Sequence, residues 1–254
     1  MILETLERVL SGNGLITAFM FVGALVWVSY LISGKLTGGR VHGSAIAIGL
    51  GLVLAWWGGQ ATGGSRGLSD IPLFAGVGVM GGAMFRDFAI VATAFGADVR
   101  ALQGAGAVGA LSIVIGVLLS FVIGAVVAVS FGYTDPIAVT TIGAGAATYI
   151  VGPVTGTALG ASSEIIALSV AAGLTKSVLV MIGTPFVASR IGLNNPHSAL
   201  IYGGLMGTTS GVAGGLAATD PKLVPYGAMT ATFYTGAGCL LAPSILYIVV
   251  DMLI

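Results

Sequence analysis

The sequence predicts an all-α polytopic membrane protein, and three observations carry that prediction. Of its 254 residues, 56% are hydrophobic and only 7% are charged, where a water-soluble domain gives roughly a quarter of its residues to charged side chains. The mean hydropathy is +1.06. The apolar residues fall into about eight to ten segments, several near the ~20 residues a helix needs to cross the hydrocarbon core. Nine basic and nine acidic residues cannot build a polar skin for a chain of this size; lipid removes the need for one.

Residues 1–13 carry Glu4, Glu7 and Arg8, with Leu3, Leu6 and Leu10 on one side. They lack the basic start and small-residue cleavage site of a secretory signal, and read as a short amphipathic helix at the membrane surface. Residues 14–131 read as more regular spans. The first runs from Leu15 to Ile32, with Trp27 and Tyr30 at headgroup level. Others follow from His42 to Trp57 and from Ile71 to Phe95, the latter carrying Arg86 and Asp87. The stretch Gly104 to Phe131 is too long for a strand and free of proline. Lys35 and Arg40 place the first loop in the cytoplasm by the positive-inside rule, and the N-terminus outside.

Residues 132–254 read as a region of broken helices, interrupted by Pro136, Pro153, Pro185, Pro196, Pro221, Pro225 and Pro243. Its apolar segments are Pro136 to Leu159, Ile165 to Ala172, Ser177 to Ala188, Ser198 to Ala218 and Val224 to Met252, the last with a bend at Pro243. Several are too short to cross alone. Broken or re-entrant helices are tolerated in a membrane only where the backbone is buried in protein or lines a wet cavity. The 42 glycines let helix backbones approach closely, which is how helices pack in lipid. Thr134-Asp135-Pro136 recurs as Thr219-Asp220-Pro221, with Tyr149 and Tyr234 at the same offset. An internal repeat is one reading of this echo, and coincidence in a restricted alphabet is the other. The whole chain reads as one membrane transport domain.

Ionisable groups in hydrocarbon cost several kcal/mol in order of magnitude and face a cavity or a partner. The richest polar run is Thr155, Thr157, Ser162, Ser163 and Glu164, followed twelve residues later by Lys176. Hydroxyls and an opened helix end beside an ammonium suit an anion; Glu164 either pairs with Lys176 or holds a coupling cation. The other reading makes Ser162 and Ser163 caps of the helix that contains Glu164, with Lys176 snorkelling to the interface. Arg86 is a further candidate for the anion. Asp135, before Pro136, reads as a helix cap that also suits a cation. Asn195 and Thr208 offer neutral oxygens for sodium.

Other chemistries are excluded. There is no Walker loop and no nucleophile elbow. Two histidines 155 positions apart and one cysteine make no zinc pattern. No basic patch points to nucleic acid. The chain reads as no enzyme, with no cofactor beyond a coupling ion.

The strings Gly39-Arg40-Val41-His42-Gly43-Ser44, Thr155 through Val170 and Gly173-Leu174-Thr175-Lys176-Ser177-Val178 resemble the larger, M subunit of the bacterial sodium-dependent malonate transporter over essentially the full length. That resemblance implies a secondary symporter in the bacterial cytoplasmic (inner) membrane, taking up malonate with Na+ alongside a smaller membrane subunit. A more distant likeness, to the larger subunit of holin-like murein hydrolase regulator pairs, leaves open another organic-anion carrier or exporter. A scaffolding or regulatory membrane subunit is the alternative of a different class.

Overall fold

The computed structural model describes residues 2–39, 41–64, 66–80 and 99–254. It is 85% helical, with no strand among the described residues. Among the described residues, five stretches are long and apolar enough to cross a membrane: Gly14–Thr37, Gly43–Val79, Gly106–Ser130, Ser163–Val187 and Pro221–Leu253. Val114, Leu118, Val122 and Val126, one face of a single helix, are all exposed. A continuous apolar stripe of that kind belongs against lipid. The chain packs as two compact units, Met1–Phe95 and Gly96–Ile254.

In the first unit, α1 (Ile2–Gly12) is the short N-terminal helix, followed by α2 (Gly14–Thr37) and α3 (Gly43–Thr62). α2 ends at Gly38, whose φ of 58° is the left-handed conformation that stops a helix. His42 begins α3, its Nδ1 accepting the Ser44 amide hydrogen. Burial lowers the His42 pKa, which favours the neutral ring that such acceptance requires. Two 3-10 turns lead to the short α4 (Ala75–Val79). Arg86, Asp87 and Arg40 lie outside the described residues.

The second unit holds α5 (Val99–Ser130, broken at Gly106), α6 (Pro136–Ala147), α7 (Val151–Leu159), α8 (Ser163–Val187), α9 (Pro196–Met206), α10 (Thr209–Ala217), α11 (Val224–Leu241) and α12 (Tyr247–Leu253). The segment expected from Pro136 to Leu159 is a re-entrant hairpin. Gly152 packs on Gly145, and Gly156 on Thr141, so α6 and α7 run antiparallel about a turn at Thr148–Ile150. The segment Ser198 to Ala218 is a second hairpin, α9 and α10, turning at Gly207–Thr208. Ala199, near its start, and Leu216, near its end, both meet Gly227 of α11, so both legs return to one end.

Small residues on α8 fix how the hairpins enter. Ser169 meets Gly145 and Gly152, and Gly173 leaves room for the backbone of Tyr149. Further along, Ser177 bonds Thr208, Met181 fills the space beside Gly214 and Thr184 that beside Gly215. The first hairpin therefore enters from the end where α8 begins, the second from the end where α8 finishes, and their turns meet at Lys176–Ser177. α5 serves both in the same way. Gly116 and Ser112 lie against α9 at Gly204, and Gly124 against α6 at Gly143 and Ala146.

This arrangement is an internal repeat, though not the one suggested by the Thr-Asp-Pro echo. α5 carries Ser112, Gly116 and Ser120, and α8 carries Ser169, Gly173 and Ser177: the same spacing, 57 residues on. The hairpins match at 60: Asp135-Pro136 with Asn195-Pro196, Gly143 with Gly203, Thr148 with Thr208. Each unit is a long helix followed by a hairpin, and the two run in opposite directions. Asp135 and Asp220 both cap helical turns that begin with proline, but Tyr149 lies in a hairpin turn and Tyr234 in the middle of α11. The echoed triplet is a shared start signal.

Two further expectations change. Ile165 to Ala172 and Ser177 to Ala188 are one helix, because Thr175 and Lys176 between them do not interrupt it; the Thr175 hydroxyl donates back to the Ala171 carbonyl. The bend expected at Pro243 is a π turn over Ala242–Leu246, which absorbs the missing proline amide.

Candidate functional site

Lys176 projects from the middle of α8 into the place where the hairpin turns meet. Its Nζ donates to Ser120 Oγ of α5 at 2.8 Å, to the Ala147 carbonyl at 2.8 Å and to Tyr234 Oη of α11 at 3.2 Å. The ammonium also lies 4.9 Å from the centre of the Tyr234 ring. Ala147 is the last residue of α6, so its carbonyl belongs to the negative end of a half-helix and has no partner within it. Tyr234 is fully buried, and its hydroxyl donates to the Gly116 carbonyl at 3.0 Å. No carboxylate of the described residues pairs with Lys176.

One residue along, the hydroxyls of Ser177 and Thr208 bond to each other. Thr208 also caps α10, accepting the Gly211 amide hydrogen. Gly207 before it has a φ of +72° and faces the Tyr234 ring so closely that a Cβ would fall within it. The hydroxyl oxygens of Thr209 and Ser210, at the first turn of α10, are buried without a protein partner, as are those of Thr140 and Thr155 in the first hairpin.

The candidates chosen from sequence divide sharply. Lys176, Thr155 and Thr208 are inside. Thr157, Ser162, Ser163 and Glu164 are exposed at the outer end of the first hairpin and the start of α8, where Ser162 caps α8 by accepting the Ile165 amide hydrogen. Glu164 and Lys176 share one helix and stand about 18 Å apart along its axis at about 1.5 Å per residue. The expected pairing between them is not made. The capping reading holds for Ser162 while the snorkelling reading fails for Lys176, because α8 continues through it. Asp135 and Asn195 are exposed caps at the outer ends of the two hairpins, accepting from Ala138 and Ser198 amides. Arg86 lies outside the described residues. Ser120 and Ala147 were not among the candidates; the matched Ser-x-x-x-Gly-x-x-x-Ser strings were the signal for Ser120.

A small-residue scaffold holds two opposed hairpins around one ammonium that no carboxylate of the described residues pairs with. The family model for the malonate/sodium symporter MadM subunit matches residues 6–254. The chain belongs to the MadM family. It is a multi-pass membrane subunit of a malonate/sodium symporter. Among curated proteins and among solved structures, none matches it. In MadM terms, the expectation of a transporter stands, and neither an exporter nor a scaffold is favoured over it.

Proposed function

We propose that malonate binds where the hairpin turns meet, with one carboxylate on the Lys176 ammonium, and that sodium enters as the coupling ion. A single observation carries this reading: the Lys176 charge is surrounded by neutral oxygens with no carboxylate of the described residues in reach. A partly buried cation without a counter-ion is costly, and in a membrane protein it marks a substrate path. A dianion supplies the missing charge.

The second carboxylate is placed at the start of α10. The first amides of a helix have no intrahelical acceptor and its dipole favours an anion; the buried, unpartnered hydroxyls of Thr209 and Ser210 add donors. Thr155 and Thr208 each supply a buried hydroxyl from one of the two hairpins. Thr157, Ser162, Ser163 and Glu164 lie exposed at the outer end of the first hairpin and the start of α8, on the approach from that side, and Asp135 and Asn195 cap the first leg of each hairpin. No step makes or breaks a covalent bond.

Because the hairpins enter from opposite ends, each turn closes the centre from its own side, the geometry that alternating access needs. The second turn is docked through Ser177 and Thr208, the first through Lys176 and the Ala147 carbonyl. Drawing Lys176 onto substrate loosens the first turn alone. The partner in this reading is the smaller subunit, and the membrane is the bacterial cytoplasmic membrane.

Proteoliposomes holding both subunits test the coupling. An inward sodium gradient drives malonate accumulation, and a proton gradient without sodium does not. Accumulation driven by protons alone, at full rate without sodium, contradicts the reading.

A further inference from the structure

We infer that the oxygen cage now holding the Lys176 ammonium, made by Ser120 Oγ, the Ala147 carbonyl and Tyr234 Oη, is the sodium site, occupied by a tethered cation until substrate draws the lysine away. The inference rests on the reading that malonate binds Lys176.

The cage is wired for a cation whatever fills it. The Ala147 carbonyl can only accept. The Tyr234 proton is committed to the Gly116 carbonyl at 3.0 Å, so toward Lys176 that oxygen offers only a lone pair. Ser120 Oγ accepts from the lysine at 2.8 Å. Three neutral oxygens from three different helices thus converge on one point, beside the electron-rich face of an aromatic ring 4.9 Å away. The oxygens sit at the closed end of a half-helix, whose dipole adds negative potential. Neutral carbonyl and hydroxyl oxygens are the ligands that hard cations take.

Coupling follows from counting protons. An ammonium has three N–H donors, and all three are used by the cage. Lys176 cannot donate to a carboxylate without releasing at least one cage oxygen. A released oxygen in a site of low dielectric is left unsatisfied, and a carboxylate cannot serve it, since both are acceptors. A sodium ion can. The dianion then meets two positive charges, the lysine and the sodium, and each ligand raises the affinity of the other by the same factor.

Radioactive sodium binding to the purified two-subunit complex tests this. Wild type takes up sodium when malonate is present and binds it at least tenfold more weakly without malonate. Lys176→Met, with the cage vacated, binds sodium in the absence of malonate, and adding Ser120→Ala weakens that binding at least tenfold. Malonate-free Lys176→Met that binds no more sodium than wild type overturns the inference, as does a double variant that binds as well as the single one. In the lysine-containing protein, Ser120→Ala and Tyr234→Phe each raise the sodium concentration for half-maximal uptake at least threefold, and an unchanged value in both overturns it equally. Radioactive malonate binding separates the two claims. Lys176→Met that loses malonate yet gains no sodium site ends the cage while keeping the substrate assignment; Lys176→Met that keeps full malonate affinity ends the substrate assignment.

Discussion

Replacing Lys176 with methionine lowers malonate uptake by the reconstituted complex about 100-fold, the size expected when one partner of a buried charged contact is removed at about 2–5 kcal/mol. In saturating sodium, which refills the three oxygens the lysine leaves, the same change leaves the protein as stable as wild type or more so. Methionine keeps the apolar stem that packs along α8 and removes a charge whose burial has no counter-ion in the protein, and burying such a charge opposes folding. Activity and stability therefore move apart, as they do at residues kept for function. Lys176→Arg does not restore uptake, because a planar guanidinium with five donors cannot occupy a site shaped for an ammonium. Uptake rates and thermal unfolding in detergent check both halves. A structural lysine gives the opposite pattern, with uptake and stability falling together.

Gly207→Ala has the second large effect, and here the two measurements fall together. The backbone at Gly207 has a φ of +72°, a left-handed conformation that costs an L-residue about 1–2 kcal/mol. The added methyl also lands in the Tyr234 ring, and forcing such overlap costs about 1–3 kcal/mol more. The ring cannot retreat without giving up the Gly116 carbonyl and the lysine, so the damage reaches the binding centre. Expected are a clear fall in the unfolding midpoint and loss of most uptake. Gly236→Ala on α11, where a Cβ meets nothing within 4 Å, leaves uptake intact and gains slightly from helix propensity. Equal behaviour of the two variants contradicts the role given to Gly207.

The membrane class, the long spans and the broken character of residues 132–254 were legible because each is a property of runs. Proline and glycine mark where helices start and stop, so Asp135-Pro136 and Asn195-Pro196 were readable as starts. They do not say whether the chain then crosses or turns back. That depends on contacts between Gly145 and Gly152, or Thr208 and Ser177, which the order of residues does not reveal. Lys176 was legible because a lysine inside an apolar run is rare enough to demand a reason. Its surroundings were not. Ser120, Ala147 and Tyr234 reach it from positions 56, 29 and 58 residues away, and a backbone carbonyl has no signature in a sequence. The polar run 155–164 misled because serine, threonine and glutamate are as common at helix ends as in binding sites, and Ser162 is an N-cap. The repeat was present in the sequence only as serines and glycines four residues apart, a spacing common to closely packed membrane helices.

The placement of malonate against Lys176 is open to direct measurement. The chain has three lysines, Lys35, Lys176 and Lys222, of which Lys35 and Lys222 are exposed. In a complex assembled from this chain labelled with 15N at lysine Nζ and an unlabelled partner, solid-state NMR with carboxyl-13C malonate and saturating sodium reads the nitrogen-to-carbon distance. A charge-assisted contact puts the Lys176 nitrogen about 3.5 Å from one carboxyl carbon, and the Lys176→Met complex shows no such coupling. Malonate bound at saturation with no lysine coupling, or with coupling that survives in Lys176→Met, would place the substrate elsewhere.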